Sequence, residues 1–145
     1  MEYVARLGRE ARQTLIDFPD CPGCQTFADP HESVEAIARD ALEGWLEAGL
    51  EHGDSPPRPT STARGRNRLA VRINPTLAVR LQLRWARLER GLSQSDLASL
   101  VGVSRQQISL LESPDANLTL STLLKVASAL EMDLEIELQS RSSAA

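Results

Sequence analysis

The side chains with the clearest chemical use lie between Ser93 and Glu112. The stretch reads Ser-Gln-Ser-Asp-Leu-Ala-Ser-Leu-Val-Gly-Val-Ser-Arg-Gln-Gln-Ile-Ser-Leu-Leu-Glu. Ser93 and Ser104 each stand three residues before a side chain that can return a cap, Asp96 and Gln107, so each opens a short helix. Gly102 lies between the two and permits the left-handed backbone of a tight turn. Ala98 is small where the second helix must cross the first. Two capped helices with almost no spacer form a helix-turn-helix. The outward face of its second helix holds Arg105, Gln106 and Ser109, with Ser104 and Gln107 beside them. Guanidinium and carboxamide groups match the major-groove edges of guanine and adenine. Gln94, opening the preceding helix, is placed to hold a phosphate. The expected chemistry is recognition of operator DNA.

Two other constellations could carry chemistry. Cys21-Pro22-Gly23-Cys24 has the spacing of a redox pair or of half a zinc site. A redox pair usually stands at a helix N-terminus, where the thiol pKa falls, whereas a strand is expected after Cys24. Zinc needs two more ligands, and only His31 and His52 exist, at irregular spacing. The simpler reading makes Pro22-Gly23 a turn and Cys24 a small packed hydrophobe. Asp17, Asp20, Asp29 and Asp40 could serve a metal-dependent nuclease, but nothing in the pattern sets them on one face, and Asp29 reads better as a helix cap. No catalytic residue, metal or cofactor is expected.

The elements that must position the helix-turn-helix are also legible. Asn74 and Pro75 open a helix with a Leu77, Leu81, Trp85, Leu88 stripe that Gly91 stops. Leu97, Val101, Val103, Ile108 and Leu111 should bury the corner against Leu81, Trp85 and Leu88. Thr119 opens a further helix with Leu120, Leu123, Leu124, Ala127 and Leu130 on one face. Met132, Leu134, Ile136 and Leu138 then alternate with acids, the period of a strand. One strand alone cannot satisfy its backbone, so these four residues are expected to pair with a second chain and make a homodimer or higher even-numbered oligomer. Residues 140–145 read as a disordered tail.

Ahead of this unit, three strands are expected at 3–7, 14–18 and 24–28, separated by turns at 8–12 and 19–23. A helix should follow, capped by Asp29, with an apolar stripe from Val34 to Leu50 and a stop at Gly53. Residues 54–67, with three prolines in four positions, read as an exposed linker before a last strand at Leu69, Val71 and Ile73. The fold class is α+β: a β-β-β-α-β domain over 1–74, then an all-α helix-turn-helix domain with a C-terminal strand over 75–139.

Composition agrees with a globular chain: 41% hydrophobic and 25% charged, in 145 residues. No apolar run is long enough for a membrane span and no secretory leader is visible, so the expected location is cytoplasmic. Charge is uneven. Residues 1–63 carry five Arg against twelve acids, and residues 64–112 nine Arg against three. That division suggests two modules with different partners.

Residues 75–132 resemble the helix-turn-helix unit of the Cro/C1 repressor family. The resemblance implies a dimer on a two-fold operator, with Gln94 on phosphate and Arg105 and Gln106 on bases. Phe18-Pro19-Asp20-Cys21-Pro22-Gly23-Cys24, followed by Ala28-Asp29-Pro30 and the Glu- and Ala-rich helix, resembles the signature of HicB antitoxins. That second resemblance covers residues 1–74. It implies a partial ribonuclease-H-like domain and a HicA-type ribonuclease toxin as partner, hence a type II antitoxin that also represses its own operon. The acidic first half suits a basic, RNA-binding partner. The first hairpin departs from the pattern, with Arg9-Glu10-Ala11-Arg12 where a glycine turn is common. The alternative is a stand-alone repressor whose N-terminal domain senses a ligand or partner.

Overall fold

The computed structural model describes residues 1–114 and 117–140. It is an α+β structure with an N-terminal antiparallel sheet and C-terminal helices. Strands β1 (Glu2–Glu10), β2 (Gln13–Asp17), β3 (Gln25–Ala28) and β4 (Arg68–Arg72) form one sheet in the order β3-β2-β1-β4. β1 extends past the expected Leu7, because Gly8, Arg9 and Glu10 still pair with Leu15, Thr14 and Gln13. Ala11 and Arg12 alone make the turn, with Ala11 at φ 52° in the left-handed region where glycine costs least.

Helix α1 (Val34–Glu51) covers one face of the sheet. Ala38, Leu42, Leu46 and Leu50 recur every four residues and bury against Tyr3, Ala5, Ile16, Phe18 and Val71. Its cap is Ser33, whose Oγ accepts from the Ala36 N–H at 3.3 Å, and not Asp29. Asp29 closes a separate turn. Its N–H donates to Glu32 Oε2 at 2.8 Å and its C=O accepts from the Glu32 N–H at 3.0 Å. Its carboxylate is taken by Gln13 Nε2 at 2.8 Å.

The 54–67 segment enters no helix or ladder and most of it is exposed, yet it is no free linker. Tyr3 Oη donates to the Pro57 carbonyl at 2.8 Å, and Trp85 Nε1 donates to the Pro56 carbonyl at 2.7 Å. Asp20 receives four hydrogen bonds from Thr60 and Ser61. Prolines lack the N–H of a ladder, but their carbonyls remain good acceptors, and buried Tyr and Trp donors use them.

Helix α2 (Pro75–Glu89) joins the two halves. Leu77, Ala78, Leu81 and Trp85 belong to the sheet core, so the hydrophobic boundary runs along α2 rather than at Asn74. This corrects the expectation that Leu81, Trp85 and Leu88 back the helical corner. Leu88 is exposed, and Ala86 with Leu83 backs the corner instead. Helices α3 (Gln94–Val101), α4 (Arg105–Leu111) and α5 (Leu120–Ala129) complete the second core through Leu97, Ala98, Ile108, Leu111, Val126 and Leu130. In α5 the buried side is Val126, Ala127 and Leu130, while Leu120 and Leu124 are exposed.

The expected C-terminal strand is not formed within the chain: residues 132–140 enter no ladder among the described residues. A strand exists only beside a neighbour, and none is offered here. Of the expected tail, Ser140 is exposed and residues 141–145 lie outside the described residues. No helix of the described residues is long and apolar enough to cross a membrane.

Candidate nucleic-acid interface

Both predicted caps are present as reciprocal boxes. Ser93 Oγ accepts from the Asp96 N–H at 3.0 Å, and Asp96 Oδ2 accepts from the Ser93 N–H at 2.8 Å. Ser104 Oγ accepts from the Gln107 N–H at 3.2 Å, and Gln107 Oε1 accepts from the Ser104 N–H at 3.0 Å. Gly102 caps α3 at φ 79°, and its N–H and that of Val103 both close on the Ala98 carbonyl. The turn is therefore fixed from both sides. Hydrogen bonds from Ser93 hold the exposed Asp96 carboxyl below its ordinary pKa.

Of the expected DNA-reading residues, Ser104, Arg105, Gln106, Gln107 and Ser109 are all exposed on α4 or at its start. Ser104 and Gln107 are committed to each other, so Arg105, Gln106 and Ser109 are the side chains left free to face outward. Leu110 is also exposed on α4. Gln94 is half-buried and turns its Nε2 inward to Glu112 Oε2 at 3.3 Å. That contact orients the side chain that opens α3.

Glu112 is the residue that sequence reasoning missed. It is buried at the end of α4, where Arg87 meets it with two hydrogen bonds, Nε to Oε1 at 2.6 Å and Nη2 to Oε2 at 2.9 Å. Arg84 approaches the same carboxylate at 3.6 Å and also donates to the Gly53 carbonyl at the end of α1. Burial lowers the Arg84 pKa while Glu112 pulls the other way. One signal was available. Arg80, Arg84 and Arg87 share the helical face of Leu77 and Leu81, and three arginines on a buried face require a carboxylate.

The arrangement also redistributes the positive charge of residues 64–112. Arg80, Arg84 and Arg87 are buried, and Arg64, Arg66, Arg68 and Arg72 lie in or just before β4. Among the described residues of the helical unit only Arg90, Arg105 and Lys125 remain as exposed cations.

The other candidates take structural roles. Cys21 and Cys24 are buried free thiols, and burial pushes their pKa values up to about 12 and about 11. Asp17 pairs with Arg6 and accepts from Gln25, Asp20 holds Thr60 and Ser61, and Asp40 is exposed on α1. The structure brings no three His, Cys, Asp or Glu together as a metal site among the described residues. Met132, Ile136 and Leu138 are exposed by 44%, 62% and 95%, and the half-buried Leu134 lines a groove with Val79, Leu83 and Leu123.

Comparisons with known proteins divide the chain at the same helix. A helix-turn-helix family matches residues 83–136. The family described as HicB_like antitoxin of bacterial toxin-antitoxin system matches residues 6–82, more than half of the chain. Antitoxin HicB 2 of Photorhabdus laumondii subsp. laumondii is 25% identical over 136 residues, covering 94% of this chain and 95% of its own length. Antitoxin HicB 1 of the same organism is 27% identical over 125 residues, covering 86% of this chain and 78% of its own. A solved HicA3 and HicB3 toxin-antitoxin complex contains a chain that is 20% identical and aligns with a TM-score of 0.45, covering 52% of this chain and 100% of its own length. With a sheet-and-helix unit carrying the Pro-Asp-Cys-Pro-Gly-Cys turn, followed by a doubly capped helical corner, the chain belongs to the HicB-like antitoxin family and carries a helix-turn-helix unit.

Proposed function

We propose that this protein is a type II antitoxin that neutralises a HicA-type ribonuclease toxin through its N-terminal domain and represses its own operon through its helix-turn-helix. The observation that carries this reading is the fusion itself: a HicB-like unit over 6–82 runs through α2 directly into a helical corner over 83–136. We read the β-β-β-α-β order as a partial ribonuclease-H-like domain, and the location as cytoplasmic. In the operator complex Arg105 and Gln106 read bases, Ser104, Gln107 and Ser109 lie at the groove, and Gln94 holds a phosphate. Two chains pair through Met132, Leu134, Ile136 and Leu138, setting two recognition helices on successive major grooves about 34 Å apart.

Co-expression tests the toxin half. A small basic toxin encoded beside this gene should arrest growth alone and be tolerated with this chain present. An arrest that persists despite soluble antitoxin removes the toxin-binding reading and leaves the stand-alone repressor.

A further inference from the structure

The N-terminal domain is acidic in sum, but one end of its sheet is not. β1 and β4 run antiparallel, and the start of β4 lies beside the middle of β1: Arg6 is opposite Arg68, and the Leu7 N–H donates to the Asn67 carbonyl at 2.9 Å. Arg64 and Arg66 precede Arg68 in the turn that enters β4, and Arg9 and Arg12 lie further along in the β1–β2 hairpin, beyond the last β1–β4 pair. All five arginines are exposed, and none enters an ion pair among the described residues. Nearby, Arg6 is already neutralised by Asp17. The acids at this end are Glu10, Asp29 and Glu32; Asp29 already accepts from Gln13, and Glu32 accepts from the Asp29 N–H.

We infer that this basic pole binds the phosphodiester backbone of a nucleic acid, as a contact separate from the recognition helix. Two observations select this ligand over an acidic protein. The approach to the pole, Thr62-Ala63-Arg64-Gly65-Arg66-Asn67, holds no large apolar or aromatic side chain, and the exposed Leu15 and Phe27 stand across the sheet from it on β2 and β3, whereas protein interfaces are anchored by such groups. Phosphate contacts need only charge and donors, which guanidinium groups supply. In addition, the helical unit exposes few cations, Arg90, Arg105 and Lys125 among the described residues, although affinity for duplex DNA is dominated by phosphate neutralisation. The pole provides the cations that the corner lacks.

The test uses the full chain, a labelled random-sequence duplex and a single-stranded RNA of the same length, with fluorescence anisotropy across a series of KCl concentrations. The pole variant is Arg64→Ser with Arg66→Ser and Arg68→Ser. The corner variant is Arg105→Ala with Gln106→Ala. Each phosphate contact contributes about 0.9 to the slope of log affinity against log salt for a duplex and about 0.7 for a single strand. The pole variant should therefore flatten the slope by roughly 2 to 3 and weaken binding at least about tenfold at low salt, in the wild-type and the corner-variant backgrounds alike. The corner variant removes one exposed cation and should flatten the duplex slope by no more than about 1, so failure of the pole and failure of the helix-turn-helix reading are separable. Lysine at the same three positions should restore binding, which a purely structural role of the loop would not allow. Loss confined to the duplex identifies DNA as the ligand, and loss confined to the single strand identifies RNA. Unchanged slope and affinity for both probes, or a loss that lysine does not restore, overturns the assignment.

Discussion

Arg87 on α2 and Glu112 at the end of α4 form a bidentate pair while each is at most 5% exposed. The pair ties the last turn of α4 to the helix that both halves of the protein share. Through Gln94 the same carboxylate reaches the start of α3, and through Arg84 it reaches the end of α1. Breaking a buried pair leaves an uncompensated charge. Glu112→Ala should therefore cost about 3–5 kcal/mol. Urea denaturation followed by circular dichroism measures it, and a midpoint equal to wild type would show that the pair contributes nothing.

The α4 surface separates residues that the sequence treats alike. Gln106 and Gln107 are neighbours, but only Gln107 is spent on a cap. Arg105→Ala and Gln106→Ala should each weaken operator binding by about 1–3 kcal/mol and relax specificity at one position. Gln107→Ala should act chiefly on stability, by about 1 kcal/mol through the cap. Gel-shift titration of operator and scrambled duplexes, paired with thermal melts, distinguishes these effects. Equal operator binding by all three variants would remove α4 from the groove.

The element order as far as α5, both caps of the corner and the Gly102 turn were legible because each follows from residues within a few positions of one another. What was not legible depends on long-range partners. Glu112 looks like an ordinary helix end until α2 places Arg87 beside it. Leu81 and Trp85 could face either half of the protein, and only the docking of residues 56 and 57 against Tyr3 and Trp85 shows that they face the sheet. Asp29 has every local mark of a cap, yet Gln13 and Glu32 claim it first. Charge misled for the same reason, since a sum over sequence cannot tell a buried arginine from an exposed one.

Asp20 clamps the 54–67 segment to the β2–β3 turn. Burial pushes its carboxyl pKa up, but the bonds from Thr60 and Ser61 outweigh burial and leave it below the usual 3.8. A depressed pKa stabilises the fold above the unfolded value and loses that contribution as pH falls through the folded value. Asp20→Asn should therefore lower the urea midpoint at pH 7 and speed tryptic cleavage at Arg64 and Arg66. The difference from wild type should shrink as pH falls below about 4. A difference that persists undiminished at pH 2 would show that the carboxylate charge is not what holds the segment.

Cys21 and Cys24 have the spacing of a reactive pair, but burial raises both pKa values, to about 12 and about 11. The thiolate is the reactive form, so an aromatic disulfide reagent at pH 8 should modify both at least about 100-fold more slowly than free cysteine. Urea should release both thiols to the free rate. Native reaction at the free rate by either would restore the redox reading of the Pro-Gly turn.

Ile136 tests the assembly. Residues 132–138 alternate apolar and acidic side chains, enter no ladder within the chain, and leave Ile136 and Leu138 largely exposed. Their start lies along a groove between α2 and α5 lined by Val79, Leu83, Leu123 and Leu130. A second copy running antiparallel about Glu135 would set Leu134 opposite Ile136 on the side of the helices, satisfying both the open backbone and the apolar face. The same register sets Asp133 opposite Glu137 and Glu135 opposite its own copy on the outer side. Like charges so placed repel, and salt screens them. The dimer should accordingly tighten as salt rises from about 0.05 to 0.5 M, where an interface held by ion pairs would loosen. Ile136→Asp should sediment as a monomer and bind the operator at least about 100-fold more weakly, because one half-site loses the linked second contact. Sedimentation velocity across the salt series decides the matter: an Ile136→Asp chain that stays dimeric places the interface elsewhere, and a wild-type dimer that loosens with salt rules out this register.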